Sequence, residues 1–154
     1  MAAACDRPII MPLSNPTLIA EARPSDVMAW TDGRAIIATG SPFPTVDVQE
    51  IGQANNVFIF PGVGLGAIVS EANLISDAMV LVAARTLAEA VTADRLAAGA
   101  LYPPIPELRA VSRSIALAVA REAISSGLAA SNDSLEADVD AAMWWPAYVP
   151  YFPR

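Results

Sequence analysis

The sequence predicts an α/β fold: a partial parallel sheet of about three strands, followed by a helical C-terminal layer. Three observations carry that prediction. Short runs that are apolar throughout, rather than alternating, punctuate the first half and read as strands buried on both faces. Helical or long stretches separate them, as parallel pairing requires. The second half repeats apolar residues at helical spacing and carries capping residues at the ends.

In chain order, Arg7-Pro-Ile-Ile-Met-Pro-Leu-Ser-Asn-Pro-Thr17 reads as a buried strand running into a loop, with Pro12 limiting its regularity. Pro24 to Trp30 suits a short helix opened by proline. Thr31-Asp-Gly-Arg34 is a turn by its Asp-Gly pair. Ala35-Ile-Ile-Ala-Thr39 is the second strand, halted by Gly40-Ser-Pro42, and Val57-Phe-Ile-Phe60 the third, ending at Pro61-Gly62. Helices follow. One spans Ala67 to Ile75. Ser76 caps a second across Asp77 to Val91, and Thr92 caps a short third through Ala98, closed by Gly99. The clearest runs from Pro106 to Ser126, where Leu108, Val111, Ile115, Ala118, Val119 and Ala123 form one apolar stripe and Gly127 stops it. Residues 131–142, polar and acidic, read as a linker or loose turn. The tail from Met143 to Pro153, rich in aromatics and proline, reads as an extended segment that docks on a neighbouring domain or subunit.

Composition bounds the function. The chain has 154 residues, enough for one domain with a real core. It is 55% hydrophobic and only 16% charged, where roughly 25% charged is usual. Either the core is alanine-rich, or the apolar faces pack on further polypeptide. A net charge of −7, with its few cations scattered, argues against nucleic acid. Val57 to Val69, the most apolar run, is broken by proline and glycine and is too short to span a membrane. The N-terminus lacks a signal-peptide pattern, so a cytoplasmic location is the default expectation. Cys5, the single cysteine, has no internal disulfide partner and reads as a small buried hydrophobe. There is no histidine, and all nine cationic side chains are arginine. Proton transfer near neutral pH therefore has only carboxylates, one thiol and three tyrosines to draw on.

Three stretches could carry chemistry. Gly62-Val-Gly64-Leu-Gly-Ala67 formally fits a pyrophosphate-binding turn, in which bare backbone approaches phosphate at a helix N-terminus. The acidic ribose partner and a following strand are missing, so close helix–strand packing is the stronger reading of those glycines. Leu13-Ser-Asn15-Pro-Thr17 sits past a strand end, where open α/β sheets bind ligands. Its neutral amide can donate to a carboxylate or a carboxamide, or can simply form an Asx turn before Pro16. Gly52-Gln-Ala-Asn55-Asn56 precedes the third strand. Its asparagines either satisfy turn backbone, or one faces a ligand while the other holds the loop.

Together with Trp30-Thr-Asp-Gly-Arg-Ala35, Thr39-Gly-Ser-Pro-Phe43, Phe60-Pro-Gly-Val-Gly-Leu-Gly66 and Leu101-Tyr-Pro-Pro104, these stretches resemble the malic enzyme family of the long-chain type, from about residue 7 to residue 127. The resemblance implies that residues 1–130 are the C-terminal part of a Rossmann-like NAD(P)-binding domain, with 131–154 a C-terminal tail. It implies oxidative decarboxylation of (S)-malate to pyruvate and CO2 in the complete enzyme, a homo-oligomer using NAD or NADP and Mg or Mn. It places Asn15 and one of Asn55 or Asn56 against malate or the nicotinamide end of the cofactor. The family's tyrosine acid, lysine base, malate-binding arginine and metal ligands have no counterpart here, and Ala54 replaces a usual glycine or cysteine. The chain is therefore expected to be a fragment that is inactive alone. A malolactic enzyme segment, or a non-catalytic module binding a nucleotide or a partner, are the rival readings.

Overall fold

The computed structural model describes residues 1–148, 150 and 151. Three parallel strands, β1 (Ile9–Ile10), β2 (Ile36–Thr39) and β3 (Gly52–Gln53), pair in the order β1-β2-β3. Ile9 and Ile10 face Ile36 and Ile37; Ala38 and Thr39 face Gly52 and Gln53. Further bonds lengthen the ladder: Ile36 N to Pro8 O (2.9 Å), Gly40 N to Pro12 O (3.1 Å) and Ala54 N to Thr39 O (2.8 Å). β2 is central and largely enclosed: Ile36 is half-buried, and Ile37 and Ala38 are inaccessible to water. β1 lies at an edge between buried Pro8 and buried Pro12. Helix α1 (Pro24–Trp30) connects β1 to β2, with Pro24 in its first turn and Val27 packed on Ala35 and Ile37.

The third strand is not where the apolar run suggested. Residues Asn56–Phe58 form a 3-10 turn, and α2 (Phe60–Val69) begins directly after it. The reason is local. The Asn55 side chain accepts from Val57 N (2.9 Å) and ends the extended backbone, and Pro61 sits in the first turn of the new helix. A short apolar run does not distinguish a buried strand from a buried helix. Nor does the next helix run from Ala67 to Ile75: α2 closes at Ser70, and Glu71 takes a left-handed conformation at φ 54°.

The later helices follow their caps. Ser76 accepts from Met79 N at the start of α3 (Asp77–Glu89), and Thr92 accepts from Arg95 N at the start of α4 (Ala93–Ala97). A 3-10 turn at Ile105–Glu107 leads into α5 (Leu108–Ser125), and Gly99 and Gly127 take positive φ after α4 and α5. α5 is the hub. Val111, Ile115, Val119 and Ala123 meet Phe58, Val63, Met79 and Ala83. Ala116, Leu117 and Ala120 meet Leu135 and Val139 from the opposite side.

Those last two residues belong to α6 (Leu135–Ala142), which replaces the linker or loose turn expected over 131–142. Acidic composition hid a helix whose two apolar residues are spaced four apart and land on one face. Arg113 forms a two-bond pair with Asp140, and Arg121 pairs with Glu136. Both pairs are exposed, so the buried leucine and valine supply most of the docking energy. The Arg113 hydrogen bond lowers the Asp140 pKa, and hydrogen bonds from Asn132 and Ser134 lower that of Asp138. A depressed folded-state pKa means the contribution is complete above the ordinary carboxylate range and fades as pH falls through it. Stability is therefore expected to drop on acidification below about pH 4. Asp140→Asn should flatten part of that slope, as urea denaturation at several pH values would show.

Cys5 is exposed rather than buried, in an N-terminal turn where Ala4 N and Cys5 N donate to Met1 O. In the tail, Trp144, Trp145, Tyr148 and Tyr151 are all exposed. Arg109 donates to Trp144 O (2.6 Å), and its guanidinium carbon lies 3.9 Å from the centroid of the Trp145 ring. The reading of the tail also took in Val149, Phe152 and Pro153, which lie outside the described residues. Among the described residues no helix is long and apolar enough to cross a membrane.

Candidate functional site

Parallel strands carry their loops of like sense to one edge of the sheet, so the segments after β1, β2 and β3 gather there. A groove of about 460 Å³ opens beside this edge, a size suited to a small ligand. Ile9, Met11 and Leu13 form one wall, Ala84, Leu87 and Ala88 of α3 another, and Leu101 and Tyr102 the end. Asn55 and Asn56 supply polar groups, and among the described residues no charged side chain lines it. A larger and shallower concavity, about 670 Å³, lies where α5 ends and α6 begins. It contains none of the strand-end loops.

The two asparagines are used differently. Asn55 Oδ1 is committed to Val57 N and holds the turn. Asn56 is exposed, and among the described residues its side chain makes no hydrogen bond, which leaves its amide available in the groove. Phe58, fully buried two residues on, anchors the same turn, its ring centroid 6.1 Å from that of Tyr102.

Asn15 does not line this groove, although Leu13 of the same loop does. Its side chain turns toward the loop after β2: Asn15 Nδ2 donates to Leu13 O (3.2 Å), and Ser41 Oγ donates to Asn15 Oδ1. The end of β3 reaches the same place, since Gln53 Nε2 donates to Gly40 O (3.3 Å). The structure thus sets all three asparagines on loops along one sheet edge, with Asn55 and Asn56 in a shared cavity and Asn15 outside it.

Sequence reasoning missed Glu21. Its carboxylate accepts from Leu13 N and Ser14 N (2.9 Å each), while Glu21 N donates to Ser14 Oγ (2.8 Å). This charge-assisted clasp fixes the Asn15 loop from its outer side. Ser41 was missed as well. Its hydroxyl could be recognised only once the loops after β1 and β2 were known to touch.

The glycine-rich stretch is not a phosphate turn. Gly62 lies in the first turn of α2 and Gly64 to Ala67 beyond it, and a 3-10 turn rather than a strand leads in, so there is no strand-to-helix loop to wrap a phosphate. The glycines serve helix–helix packing instead of helix–strand packing. A Cβ on Gly62 would lie 2.6 Å from Ile115 Cβ, and one on Gly66 would lie 2.5 Å from Ala116 O. Gly64, between them, faces open space. Among the described residues no three acidic or thiol side chains converge on a possible metal site.

Residues 1–124 match the family model described as malic enzyme, NAD binding domain. An NAD-dependent malic enzyme of Photorhabdus laumondii is 46% identical over 153 residues, covering 96% of this chain and 27% of that protein. One from Pseudomonas syringae pv. tomato is 44% identical over 156 residues, covering 97% and 28%. The chain thus spans about a quarter of the length of the curated relatives it matches. Among solved structures, the Entamoeba histolytica malic enzyme aligns with a TM-score of 0.65 at 30% identity, over 88% of this chain and 26% of that one. The malic enzyme from Pyrococcus horikoshii aligns at 0.62 and 28% identity, over 86% and 28%. A specific run of motifs, a matching family model over most of the residues and a shared α/β core give one answer: the chain belongs to the malic enzyme family, as a segment of its NAD-binding domain.

Proposed function

We propose that this chain forms one wall of the NAD and malate site in an enzyme that oxidatively decarboxylates malate to pyruvate. The observation that carries the reading is the unpaired Asn56 amide beside an uncharged, largely apolar groove at the carboxyl edge of the sheet. NAD, when bound, supplies the hydride acceptor. The residues of this chain bind and orient. Asn56 offers a neutral amide to a carboxamide or carboxylate oxygen, Asn55 keeps the turn in place, and Leu87, Leu101 and Tyr102 shield the groove from water. Asn15, on the neighbouring loop, offers a second amide to the same ligands. NAD in preference to NADP follows the relatives, which are named as NAD-dependent.

The chain has neither lysine nor histidine, and its role in this reading is positioning by neutral hydrogen bonds. Mg or Mn finds no ligand cluster among its described residues, and no step is assigned through a metal. Residues 1–130 act as the cofactor-domain portion. Residues 131–154 act as an extension whose exposed aromatics dock on a neighbouring domain or subunit of a homo-oligomer, in a cytoplasmic enzyme.

A chimera tests the reading. Exchanged for the corresponding segment of the Photorhabdus enzyme, this chain should sustain malate-dependent NADH formation. Asn56→Ala should lower kcat/KM at least about tenfold, the scale of one lost hydrogen bond in a site. A chimera that assembles like its parent yet is silent, or one indifferent to Asn56→Ala, overturns the proposal.

A further inference from the structure

We infer that Ser41 is a positioning residue, which immobilises the Asn15 amide in the orientation that Leu13 O selects; its relevance to ligand binding rests on the proposal that strand-end amides meet the cofactor or malate. Ser41 is buried, 4% exposed, and its backbone is pinned because Thr39 Oγ1, itself buried, donates to Ser41 O (2.8 Å). Its hydroxyl points at the side chain of Asn15, which arrives from the loop after β1.

An asparagine amide is nearly symmetric in shape, so a single contact does not define which end is nitrogen. Two contacts define it here. Leu13 O can only accept, so the Asn15 atom facing it at 3.2 Å must be Nδ2. The other end is then Oδ1, and the Ser41 hydroxyl, able to play either part, donates to it. The amide is held at both ends. One Nδ2 proton is left over, directed by the protein before any ligand arrives, and it suits a carboxylate or carboxamide oxygen.

The surroundings hold the same arrangement. A Cβ on Gly40 would lie 2.2 Å from Leu13 O and 2.9 Å from Asn15 Nδ2. Gly40 does not lie in the left-handed region, so glycine is needed there for room alone. Glu21 grips Leu13 N and Ser14 N from the opposite side. With the loop backbone clasped by Glu21, Leu13 O decides which end of the amide is nitrogen, and Ser41 holds the other end so that the side chain cannot swing away.

The test uses the full chain with 15N-labelled asparagine side chains, comparing the wild type with Ser41→Ala. Proton exchange with water at Asn15 Nδ2 should quicken about tenfold in the variant, the scale of one hydrogen bond. Exchange at Asn55 should stay unchanged, and so should the thermal midpoint within a few degrees. Unaltered exchange at Asn15, or equal acceleration at Asn55, overturns the inference. NAD is then titrated into the chimera with the Photorhabdus enzyme, in which the rest of the site is present. A shift at Asn15 in the wild type, with NAD affinity lowered about fivefold to tenfold by Ser41→Ala but unchanged by it in an Asn15→Ala background, supports the positioning role in binding. No response of wild-type Asn15 to NAD, with the exchange contrast intact, supports the orienting role of Ser41 and defeats the cofactor reading of Asn15.

Discussion

Alanine at Gly62 or Gly66 is expected to destabilise the chain by about 2–3 kcal/mol, while alanine at Gly64 should be neutral or stabilising by up to about 1 kcal/mol. All three residues sit in one helix, so the gain in helix propensity is shared. Only the contact differs. At Gly62 the added methyl meets Ile115 Cβ at 2.6 Å and Ser112 O at 2.8 Å; at Gly66 it meets Ala116 O at 2.5 Å and Val119 Cβ at 2.9 Å. Backbone oxygens of α5 cannot step aside as a flexible side chain would, so the helices must separate. Separation opens the cluster built on Val63, Ile115 and Val119. Urea denaturation of the three variants is the check. Equal effects at all three positions would show that α2 does not press on α5 through its glycines.

Phe58→Ala is expected to cost about 3–5 kcal/mol, the range for emptying a fully buried aromatic position. For a domain of this size that is a large share of a total near 5–15 kcal/mol, and it should lower the thermal midpoint by roughly 10 °C. Phe58→Leu, which keeps most of the volume, should cost no more than about 1.5 kcal/mol. Phe58 has no solvent exposure and packs with Val63, Met79, Ala83 and Ile115. It is also the last residue of the turn that begins at Asn56. Loss of its ring should therefore disturb the Asn55 and Asn56 side-chain resonances before global unfolding. Intact resonances in a strongly destabilised variant would separate the groove from the core and refute the anchoring role.

The fold was legible where local signals and tertiary packing agree. Ser76, Thr92, Gly99 and Gly127 mark helix ends by side-chain and backbone chemistry, which the surrounding structure does not alter. The apolar stripe of α5 holds at Val111, Ile115, Val119 and Ala123. Burial spreads wider than one stripe because α6 covers the other side. Failures came where tertiary contact overrides propensity. Three glycines argue against a helix interior until α5 is known to need two of them bare. α6 depends on just two apolar residues, Leu135 and Val139, whose value appears once Ala116, Leu117 and Ala120 stand opposite. At the site, motif spacing picked out the asparagines, and the structure assigns different tasks to neighbours: Asn55 caps, and Asn56 is left open. The partnership of Asn15 with Ser41 spans 26 residues and leaves no local trace.

The prolines flanking β1 have a consequence for behaviour in solution. An outermost strand offers unsatisfied amides on which stray strands can template, and proline has no amide proton to lend. Between Pro8 and Pro12 only Ile9, Ile10 and Met11 carry one. The rim is therefore too brief to recruit an adventitious ladder, despite its greasy side chains. In this chain taken by itself, what looks like an irregularity in a strand acts as a guard against clumping.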